Sequence, residues 1–505
     1  MRWPWSKPKP DRPRRQFAPM VRGRYDLAQS TTQNANYWAS ADAMDADAAN
    51  SLAVRKRIRE RARYEAENNP VLEGICNTEA DYEIGAGPTF QLLTGSAAFN
   101  SMVEAKFASW AKAVDLAGKL WTMARSRVID GESFAVLVSN PLIEDKVSLD
   151  LRPFECDQFT SPYAISPSEN YVDGIRLDPW GNPVSYDLLR RHPGAQWYAS
   201  ANQEYDSLPA SMVLHWFRAL RPGQHRGVSE IKASCTVLPG TRRYNLATIK
   251  GLETRADIAV FFETELPPGE EPDEIEPGAV EIPLGTMMQA PYGTKAKQVG
   301  AEGPTGDYRG FLDANHGMAG RPLSMPRNVA TCDSSQYNFA SGQLDHLTFF
   351  AAIGIKQSVG CDFKVMRKIV AAWFREAVSA YGWTVPAVPT PAYQCHWVGR
   401  PYSNPVDEST AITGNLASGA TSYPLEYARR GLDWETEHTR QAEALGITLD
   451  EYRALLRFKL FGAAESPKPA AQTESGQQSS RQIPFGGRMA GQNGNGNGQL
   501  AGSAT

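Results

Sequence analysis

The sequence predicts an α+β fold in which short strands lie between long helices. Residues 172–177 and 184–188 alternate apolar and polar side chains on either side of the segment DPWGNP at 178–183. Alternation around a Pro/Gly/Asn turn predicts a β-hairpin. A third strand is predicted at Met212–Phe217, and few helix breakers interrupt residues 241–262, which predict a long helix. Strands and helices therefore share one region of the chain.

The segments ahead of the hairpin are predicted to be mainly helical. Residues 36–68 have a helical pattern that ends before Pro70, and residues 89–117 contain a second helical stretch. Residues 128–138 are typical of a helix end, a turn at Gly131 and a strand. This order predicts an N-terminal α/β unit before the hairpin.

The segment after the hairpin is predicted to contain the longest helix. Thr241 follows Pro239-Gly240 and is a suitable N-cap, so the helix Thr241–Phe262 has about 22 residues and a length of roughly 33 Å. The Pro and Gly residues of 266–269 stop it. The acidic stretch EEPDEIEPG that follows is predicted to be a solvated loop.

Three further segments complete the predicted fold. Residues 285–326 are rich in Gly and Pro and predict a strand-and-loop connector around Tyr308, Phe311 and Leu312. Residues 342–382 have a long helical pattern, and Pro424–Phe461 a last one.

Both ends of the chain differ from this pattern. The first 24 residues carry eight Lys and Arg against one Asp, with five prolines, and predict a disordered basic arm. Residues 466–505 are of low complexity and too polar to fold alone, which predicts a disordered tail.

Composition excludes several classes of protein. The 505 residues are too many for one core and predict three or four packed units. The net charge of −4 is not that of a globally basic protein. The six cysteines are dispersed without a CxxC, which favours reduced thiols over a zinc ribbon or a disulfide framework. No apolar region follows the basic start and no run of eighteen apolar residues occurs, so neither a signal peptide nor a membrane span is predicted.

The sequence contains no recognisable catalytic pattern. No GxxxxGK[ST] phosphate loop occurs, and the Gly-rich stretch at 300–310 lacks the lysine, so a connector is expected there. No GxSxG elbow is present. Asp130 and Glu132 of the DGE segment are expected to cap the turn or to face solvent. We therefore expect no enzyme activity and no cofactor.

No metal site is predicted either. His215, His225 and His316 are far apart in the sequence. Cys395 and His396 are adjacent, and neighbours on a strand point in opposite directions.

Several segments resemble the lambda-type family of bacteriophage portal proteins. The central one is YVDGIRLDPWGNPVSYDLL followed by LPASMVLHWFRALRPGQHRGVSEI, within residues 171–231. RARYEAENNPVLEGICNTEADYEIGAGPTF and WTMARSRVIDGESFAVLV precede it, and HWVGRPYSNPVDESTAITGNLASGATSYPLEYARRGLDWE follows. CDSSQYNFASGQLD departs from the family pattern at Phe339-Ala340 and lacks its final Arg. The resemblance covers roughly residues 55–460.

The resemblance implies a portal fold with wing, stem, clip and crown regions. The expected divisions are a basic arm at 1–35, an N-terminal wing at 36–170, a β-rich region and possible clip at 171–217, a helical stem at 218–262, the rest of the wing with a candidate channel loop at 263–400, a crown-like helical region at 401–465 and a tail at 466–505.

The resemblance also implies the function. We expect a ring of twelve subunits at one capsid vertex, assembled in the host cytoplasm, through which double-stranded DNA is packaged and ejected. The implied partners are terminase, the major capsid or scaffold protein and head-tail connector proteins, with no membrane. Twelve helices about 9 Å apart would enclose an opening of roughly 24 Å, enough for one duplex. A weakly acidic ring would also let DNA slide, because a strongly basic lining would bind its phosphates.

Basic and polar side chains are the candidates for contact with DNA. The candidate channel residues on the long helix are Arg242, Arg243, Lys250 and Arg255, for which pairing with neighbours is an equal alternative. A weaker candidate is the loop at 331–342, with Ser334, Ser335, Gln336 and Asn338. The candidate contacts in the arm are Arg12, Arg14 and Arg15. For the basic helix RKRIRERAR at 55–63, a solvated or intersubunit face is favoured over DNA contact.

Two alternatives to a portal protein remain at this point. A nuclease or terminase subunit would need clustered carboxylates or a phosphate loop. A structural adaptor of another kind of virion would need neither. A ring with a central hole would distinguish a portal protein from both alternatives.

Overall fold

The computed structural model describes residues 36–38, 41–162, 168, 170–195, 204–256, 260–264, 294–298, 308–384, 392–397, 405–430 and 432–462. The predicted arm at 1–35, the tail at 466–505 and the acidic stretch at 270–278 lie outside these ranges. Runs of helices are separated by runs of strands, and the strands pair in antiparallel fashion, so the predicted α+β class is confirmed. No helix of the described ranges has both the length and the hydropathy needed to cross a bilayer.

Fourteen α-helices occur in the described residues. They are α1 (Ala46–Ala49), α2 (Leu52–Asn68), α3 (Pro70–Ile84), α4 (Ala97–Ala113), α5 (Leu116–Asp130), α6 (Ser234–Ala256), α7 (Tyr308–Gly320), α8 (Arg327–Thr331), α9 (Phe339–Ile355), α10 (Arg367–Tyr381), α11 (Pro405–Ser418), α12 (Tyr423–Arg429), α13 (Trp434–Leu445) and α14 (Leu449–Phe461). A π-helix, Lys356–Met366, joins α9 to α10. These three segments form one continuous helical rod, which we call the rod.

Within the described residues, eleven strands form four small antiparallel sheets. The strands are β1 (Thr89–Leu92), β2 (Glu132–Ser139), β3 (Leu149–Phe154), β4 (Tyr171–Val172), β5 (Ile175–Leu177), β6 (Pro183–Leu189), β7 (Tyr205–Pro209), β8 (Val213–Phe217), β9 (Val260–Thr264), β10 (Thr294–Gln298) and β11 (Tyr393–His396). Their orders are β3-β2-β8, β4-β5-β6-β7, β1-β11 and β9-β10.

Strand β2 lies between two of the three hydrophobic cores that the described part of the chain forms. Ala135 and Leu137 point into a core shared with α4, α5 and the second half of the rod. Phe134 and Val136 point to the opposite face, into a core between the two larger sheets. This alternation follows from the two-residue period of a strand. The third core joins α2 and α3 to the start of α6, α7 and the first half of the rod.

Several predicted elements are confirmed. The hairpin consists of β5 and β6, and Asp178 closes its turn by accepting hydrogen bonds from the amides of Trp180 and Asn182 at 2.9 and 2.7 Å. Helix α5 ends at Asp130, and Gly131 follows it with φ of 93°. The long helical pattern at 342–382 is the rod.

The predicted bounds of the long helix are wrong at both ends. Helix α6 begins at Ser234 and continues through Pro239, so Thr241 lies inside it and is not an N-cap. Pro239 is the sixth residue of the helix and has no amide hydrogen, so the bond that this position would make to the carbonyl of Cys235 is missing while the helix continues. The helix ends at Ala256, and Phe262 belongs to strand β9.

One other prediction is wrong, and one is confirmed. Tyr308, Phe311 and Leu312 lie in helix α7, not in a strand-and-loop connector. The predicted strand at 212–217 is confirmed as β8, which pairs with β2 and not with the strands of the hairpin. The hairpin sheet nevertheless packs on β2 and β8 through their shared core.

Candidate functional site: a buried arginine cluster and exposed helix faces

Three arginines of α2 face inward. Arg55, Arg59 and Arg63 are four residues apart and share one side of the helix. Arg55 is 4% exposed and Arg59 is 3% exposed. Their ion-pair partners are Asp173 for Arg55, Glu132 and Asp157 for Arg59, and Asp130, Glu155 and Asp157 for Arg63.

A fourth arginine comes from the RPGQHRG block. Arg226 is 1% exposed, and its guanidinium contacts both oxygens of Glu132 at 2.6 to 3.1 Å. It also donates to the carboxylate of Asp173 at 2.9 Å and to its backbone carbonyl at 2.6 Å. We call the set the arginine cluster: Arg55, Arg59, Arg63, Arg226, Asp130, Glu132, Asp157 and Asp173.

The arginine cluster is balanced in charge, with four arginines and four carboxylates; Glu155, the remaining partner of Arg63, is exposed and is not counted in it. Burial alone would raise the pKa of Glu132, but Arg226 and the hydrogen bond from His215 hold it well below its ordinary value. Burial and the charge of Arg226 lower the pKa of Arg55 to about 10, so it stays charged at neutral pH. Removing one partner would leave a buried charge uncompensated.

His215 completes the contacts of Glu132. Its Nε2 lies 3.1 Å from Glu132, and its Nδ1 lies 3.4 Å from the hydroxyl of Tyr186. Burial lowers the pKa of His215 to about 4. A neutral ring with its proton on Nε2 satisfies both contacts, with Nε2 donating to the carboxylate and the tyrosine donating to Nδ1. The ring stacks on Phe134 at 4.2 Å.

Glycines allow the backbones at this cluster to touch. A Cβ on Gly227 would lie 2.1 Å from the carbonyl oxygen of Gly131, and a Cβ on Gly131 would lie 2.1 Å from the carbonyl carbon of Val228. Gly174 has φ of 82°, and a Cβ there would meet the backbone of Thr160 at 2.8 Å. No other residue fits these contacts without displacing the main chain.

The cluster brings together segments that are distant in sequence. It unites RKRIRERAR, DGE, YVDGI and RPGQHRG, all within the stretches that resemble the portal family. The expectation that the face of Arg55, Arg59 and Arg63 is solvated, intersubunit or on DNA is wrong for Arg55 and Arg59, which pair inside the subunit. The expectation for Asp130 and Glu132 is also wrong, since both are buried ion-pair partners.

Arg226 was not predicted from the sequence. The sequence feature that could have indicated it is a charged residue beside a glycine, which occurs in DGE, YVDGI and RPGQHRG. Such a pattern is compatible with close backbone contacts between segments that ion pairs join.

A second buried ion cluster lies between α3, α5 and the rod. Arg127 pairs with Glu83 at 2.6 Å and with Glu230, and Lys356 pairs with Glu79. We call these five residues the glutamate cluster. Arg127 also lies 5.0 Å from the centre of the Trp216 ring. Glu230 is four residues ahead of α6, so this cluster ties the start of α6 to the rod.

The glutamate cluster has one carboxylate more than it has cations. Burial raises the pKa of Glu83 to about 7, against the opposing charge of Arg127. Burial also raises the pKa of Glu79, against Lys356. One oxygen of each glutamate is buried without a hydrogen-bond partner. A proton shared within the cluster relieves this excess of negative charge.

The predicted DNA-facing residues of α6 differ in their surroundings. Arg242 pairs with Glu65 at 2.6 Å and lies over the ring of Tyr64, as the alternative of pairing with neighbours predicted. Arg243 and Lys250 are exposed. Arg255 lies in the last turn of α6. Contact of these residues with DNA remains a prediction.

The same helix exposes an apolar stripe. Leu246, Ile249 and Leu252 are 63%, 53% and 51% exposed. They recur every three residues and therefore lie along one side of the helix. Such a stripe on the described surface indicates a contact with another molecule.

Helix α6 pairs in antiparallel fashion with α7. Ser234 at the start of α6 donates to the carbonyl of Ala319 near the end of α7, at 2.7 Å. Ten residues on, Tyr244 stacks on Tyr308 at the start of α7, at 5.7 Å. Strands β9 and β10 lie between α6 and α7 in the sequence, and they pair with each other.

The predicted channel loop is a short connection between α8 and α9. Ser334 is exposed, and Gln336 accepts a hydrogen bond from Arg327 at 3.1 Å. Ser335 accepts from Arg309 at 3.2 Å. Asn338 caps α9 by accepting from the amide of Ser341 at 2.8 Å. Three of the four residues therefore accept hydrogen bonds from nearby residues of the same subunit. That this loop lies in a channel remains a prediction.

One group of residues has metal-ligand spacing. Glu155, Asp157 and His192 place ligand atoms within 4.8 Å of one another. Arg63 contacts both carboxylates, at 3.3 and 2.8 Å. The guanidinium thus supplies the positive charge, and the geometry favours an ion pair over a metal site.

The comparison with protein families decides the identity. The model described as "Phage portal protein, lambda family" matches residues 31–357, which is more than half of the chain. The chain belongs to the lambda family of phage portal proteins. It is thus a structural component of the ring at a capsid vertex.

A curated relative agrees with this family. The "Probable portal protein" of Halomonas phage phiHAP-1 is 25% identical over 360 residues, which are 66% of this chain and 69% of that protein.

Solved structures with some similarity come from gene transfer agent (GTA) particles. A chain of the virion of the native particle is 13% identical with a TM-score of 0.42, over 74% of this chain and 93% of that one. A chain of the neck of the native particle, computed with C12 symmetry, is 14% identical with a TM-score of 0.39, over 73% and 92%.

Proposed function

We propose that this portal protein assembles as a ring of twelve subunits around a passage for double-stranded DNA, which enters during packaging and leaves during ejection. The observation that carries the proposal is the antiparallel pair of α6 and α7 with an exposed apolar stripe on α6. A paired helix that exposes Leu246, Ile249 and Leu252 gains stability when a neighbouring subunit covers them.

The stem of the portal, in this proposal, consists of both α6 and α7. The sheet of β9 and β10 lies on the connection between them and belongs to the clip. Residues 171–217 are then part of the wing, in place of the clip that we expected from the sequence. Two contacts support this: the hairpin shares a core with β2, and Asp173 joins the arginine cluster.

The charge distribution is compatible with a conduit for DNA. Arg55, Arg59 and Arg63 of α2 are paired inside the subunit, and Arg242 is paired with Glu65. Twelve subunits with a net charge of −4 each would carry about −48. Phosphates would meet few unpaired cations and could slide, because tight binding requires release of counterions by free Lys and Arg.

The proposed partners are inferred from the lack of a phosphate loop in the sequence and from the proposed position at a capsid vertex. No phosphate loop occurs in the sequence, so a separate terminase supplies the ATP-driven motor. The capsid or scaffold protein and the head-tail connector proteins would bind the outer surfaces of the ring.

Negative-stain imaging of the purified full-length chain tests this proposal. We expect rings with a central hole and twelve-fold class averages. Replacement of Leu246 by Glu should reduce the ring fraction, whereas Leu142→Glu, at a side chain that is 87% exposed in a loop, should not. A chain that stays monomeric or dimeric under all conditions would contradict the proposal.

A further inference from the structure

The rod carries an apolar ridge on its exposed side. Leu347, Ile355, Val359 and Phe363 are 53%, 63%, 62% and 61% exposed, and Ala351 between them is exposed as well. We call these five residues the rod ridge. Its members are spaced every four residues over two different kinds of helix, since Val359 and Phe363 lie in the π-helix.

The π-helix keeps the rod ridge on one side. In an α-helix with 3.6 residues per turn, each step of four residues rotates a side chain by about 40° around the axis. From Leu347 to Ile355 the ridge therefore drifts in one direction. A π-helix has wider turns, closed by bonds from residue i to i+5, so steps of four residues from Ile355 to Phe363 drift the opposite way. The second drift reverses the first, so Phe363 returns toward the angular position of Leu347 and the five side chains stay on one side of the rod.

The buried side of the π-helix explains why it persists. Lys356 pairs with Glu79, and Cys361, Val365 and Met366 are buried in the core with α10. Lys364 donates to the carbonyl of Phe217 at the edge of β8. These contacts fix which residues of the π-helix are buried, and they therefore also fix which residues are exposed.

The chemistry of the rod ridge indicates what covers it. None of its five members is charged, and the guanidinium of Arg367 caps its end, 5.4 Å from the ring of Phe363. Nucleic acid would require cations along the line. Interfaces between identical subunits are the most apolar class of protein contact. A ring also requires each subunit to bury two different faces against its two neighbours.

The size of the rod ridge fits part of such an interface. Four large side chains that are more than half exposed leave apolar surface on the order of a few hundred Å². A stable interface buries about 800 Å² per partner, so the ridge would form its apolar centre and other residues its rim.

We propose that the rod ridge is the surface on which the next subunit of the ring packs, with the π-helix as the device that aligns it. This rests on the proposed function, because the occupant is a second copy of this chain.

The test compares Val359→Asp with Val406→Asp in the full-length chain. Val359 and Val406 are similarly exposed, at 62% and 70%, but Val406 belongs to a different helix, α11, and is not a member of the rod ridge. Mass photometry over a concentration series gives the ring fraction, and circular dichroism gives the melting temperature. We expect Val359→Asp to keep the wild-type melting temperature but to need at least about tenfold more protein to form rings. Val406→Asp should assemble like the wild type.

A labelling experiment identifies the occupant. Val359→Cys is reacted with a maleimide and read by peptide mass spectrometry, in rings and in diluted monomers. We expect slow labelling in rings and fast labelling in monomers. Slow labelling in monomers would overturn the proposal in favour of a segment of the same chain, and fast labelling in rings would show that no subunit covers the ridge.

The results distinguish a failure of the rod ridge as an interface from a failure of the proposed function. If the wild type forms no rings, the proposed function fails and the inference fails with it. If the wild type and Val359→Asp form rings equally well, only the rod ridge is overturned.

Discussion

The two buried ion clusters hold neighbouring parts of the molecule together but differ in charge balance. The arginine cluster matches four cations with four carboxylates and joins α2 to the hairpin and the RPGQHRG block. The glutamate cluster matches three carboxylates with two cations and joins α3 to the rod. Burial is outweighed at Glu132, whose pKa Arg226 and His215 hold well below its ordinary value, whereas burial raises the pKa of Glu83 to about 7, so the glutamate cluster takes up a proton near neutral pH. The first is a fixed joint, and the second is a joint whose strength depends on pH.

The largest effect is expected from breaking the arginine cluster. Arg226→Met removes the main cation of Glu132 and Asp173 and leaves both carboxylates buried. Loss of one partner from a buried pair costs about 3–5 kcal/mol of unfolding free energy. Urea denaturation followed by circular dichroism measures it. Arg243→Met, at an exposed position on α6, should change stability by less than about 0.5 kcal/mol. A loss below about 1 kcal/mol for Arg226→Met would show that the cluster is not a structural joint.

The next effect concerns the glycine contact beside that cluster. Gly227→Ala places a Cβ 2.1 Å from the carbonyl oxygen of Gly131, so the two backbones must separate. We expect a loss of about 1–3 kcal/mol, as for overpacked cores, in the same denaturation assay. Gly240→Ala is the control, because a Cβ there meets nothing within 4 Å and alanine favours the helix. Equal stability of the two variants would contradict the close contact.

A smaller, pH-dependent effect should appear in the glutamate cluster. Burial raises the pKa of Glu83 to about 7 from its ordinary 4.5, so the folded state holds a proton that the unfolded state releases. The stabilisation is complete below pH 4.5 and is lost as pH rises to about 7. Glu83→Gln stays neutral, so its stability relative to the wild type should rise over that range, by on the order of 1–3 kcal/mol.

The control for this pH dependence is Glu60→Gln, at an exposed position on α2. Thermal melts from pH 5 to pH 8 compare the three proteins. A constant difference between Glu83→Gln and the wild type would mean that Glu83 does not titrate in this range.

The sequence predicted local features better than distant contacts. The hairpin turn depends on Asp178 and its nearest neighbours, and the rod depends on a helical period. Both can therefore be predicted from a short stretch of sequence. The start of α6 was misplaced because Pro239 in its early turns was taken as a boundary. Helix α7 was missed since its glycines suggested a connector.

The candidate site depended on information that no short window contains. The residue types of the arginine cluster were visible, but their pairing joins positions as distant as Arg55 and Arg226. A charged face on α2 has the same pattern whether solvent or buried carboxylates cover it. The family resemblance identified the right segments, while only the fold shows that Asp173 and Arg226 meet within one subunit.

A double-mutant cycle between Asp173 and Arg226 tests the central claim, that the family's signature segments form a structural joint, most directly. Asp173→Asn, Arg226→Met and the double variant are compared with the wild type by urea denaturation; asparagine tolerates the positive φ at position 173. We predict a coupling free energy of about 1–3 kcal/mol between the two sites. Additive losses, within about 0.5 kcal/mol, would contradict the account.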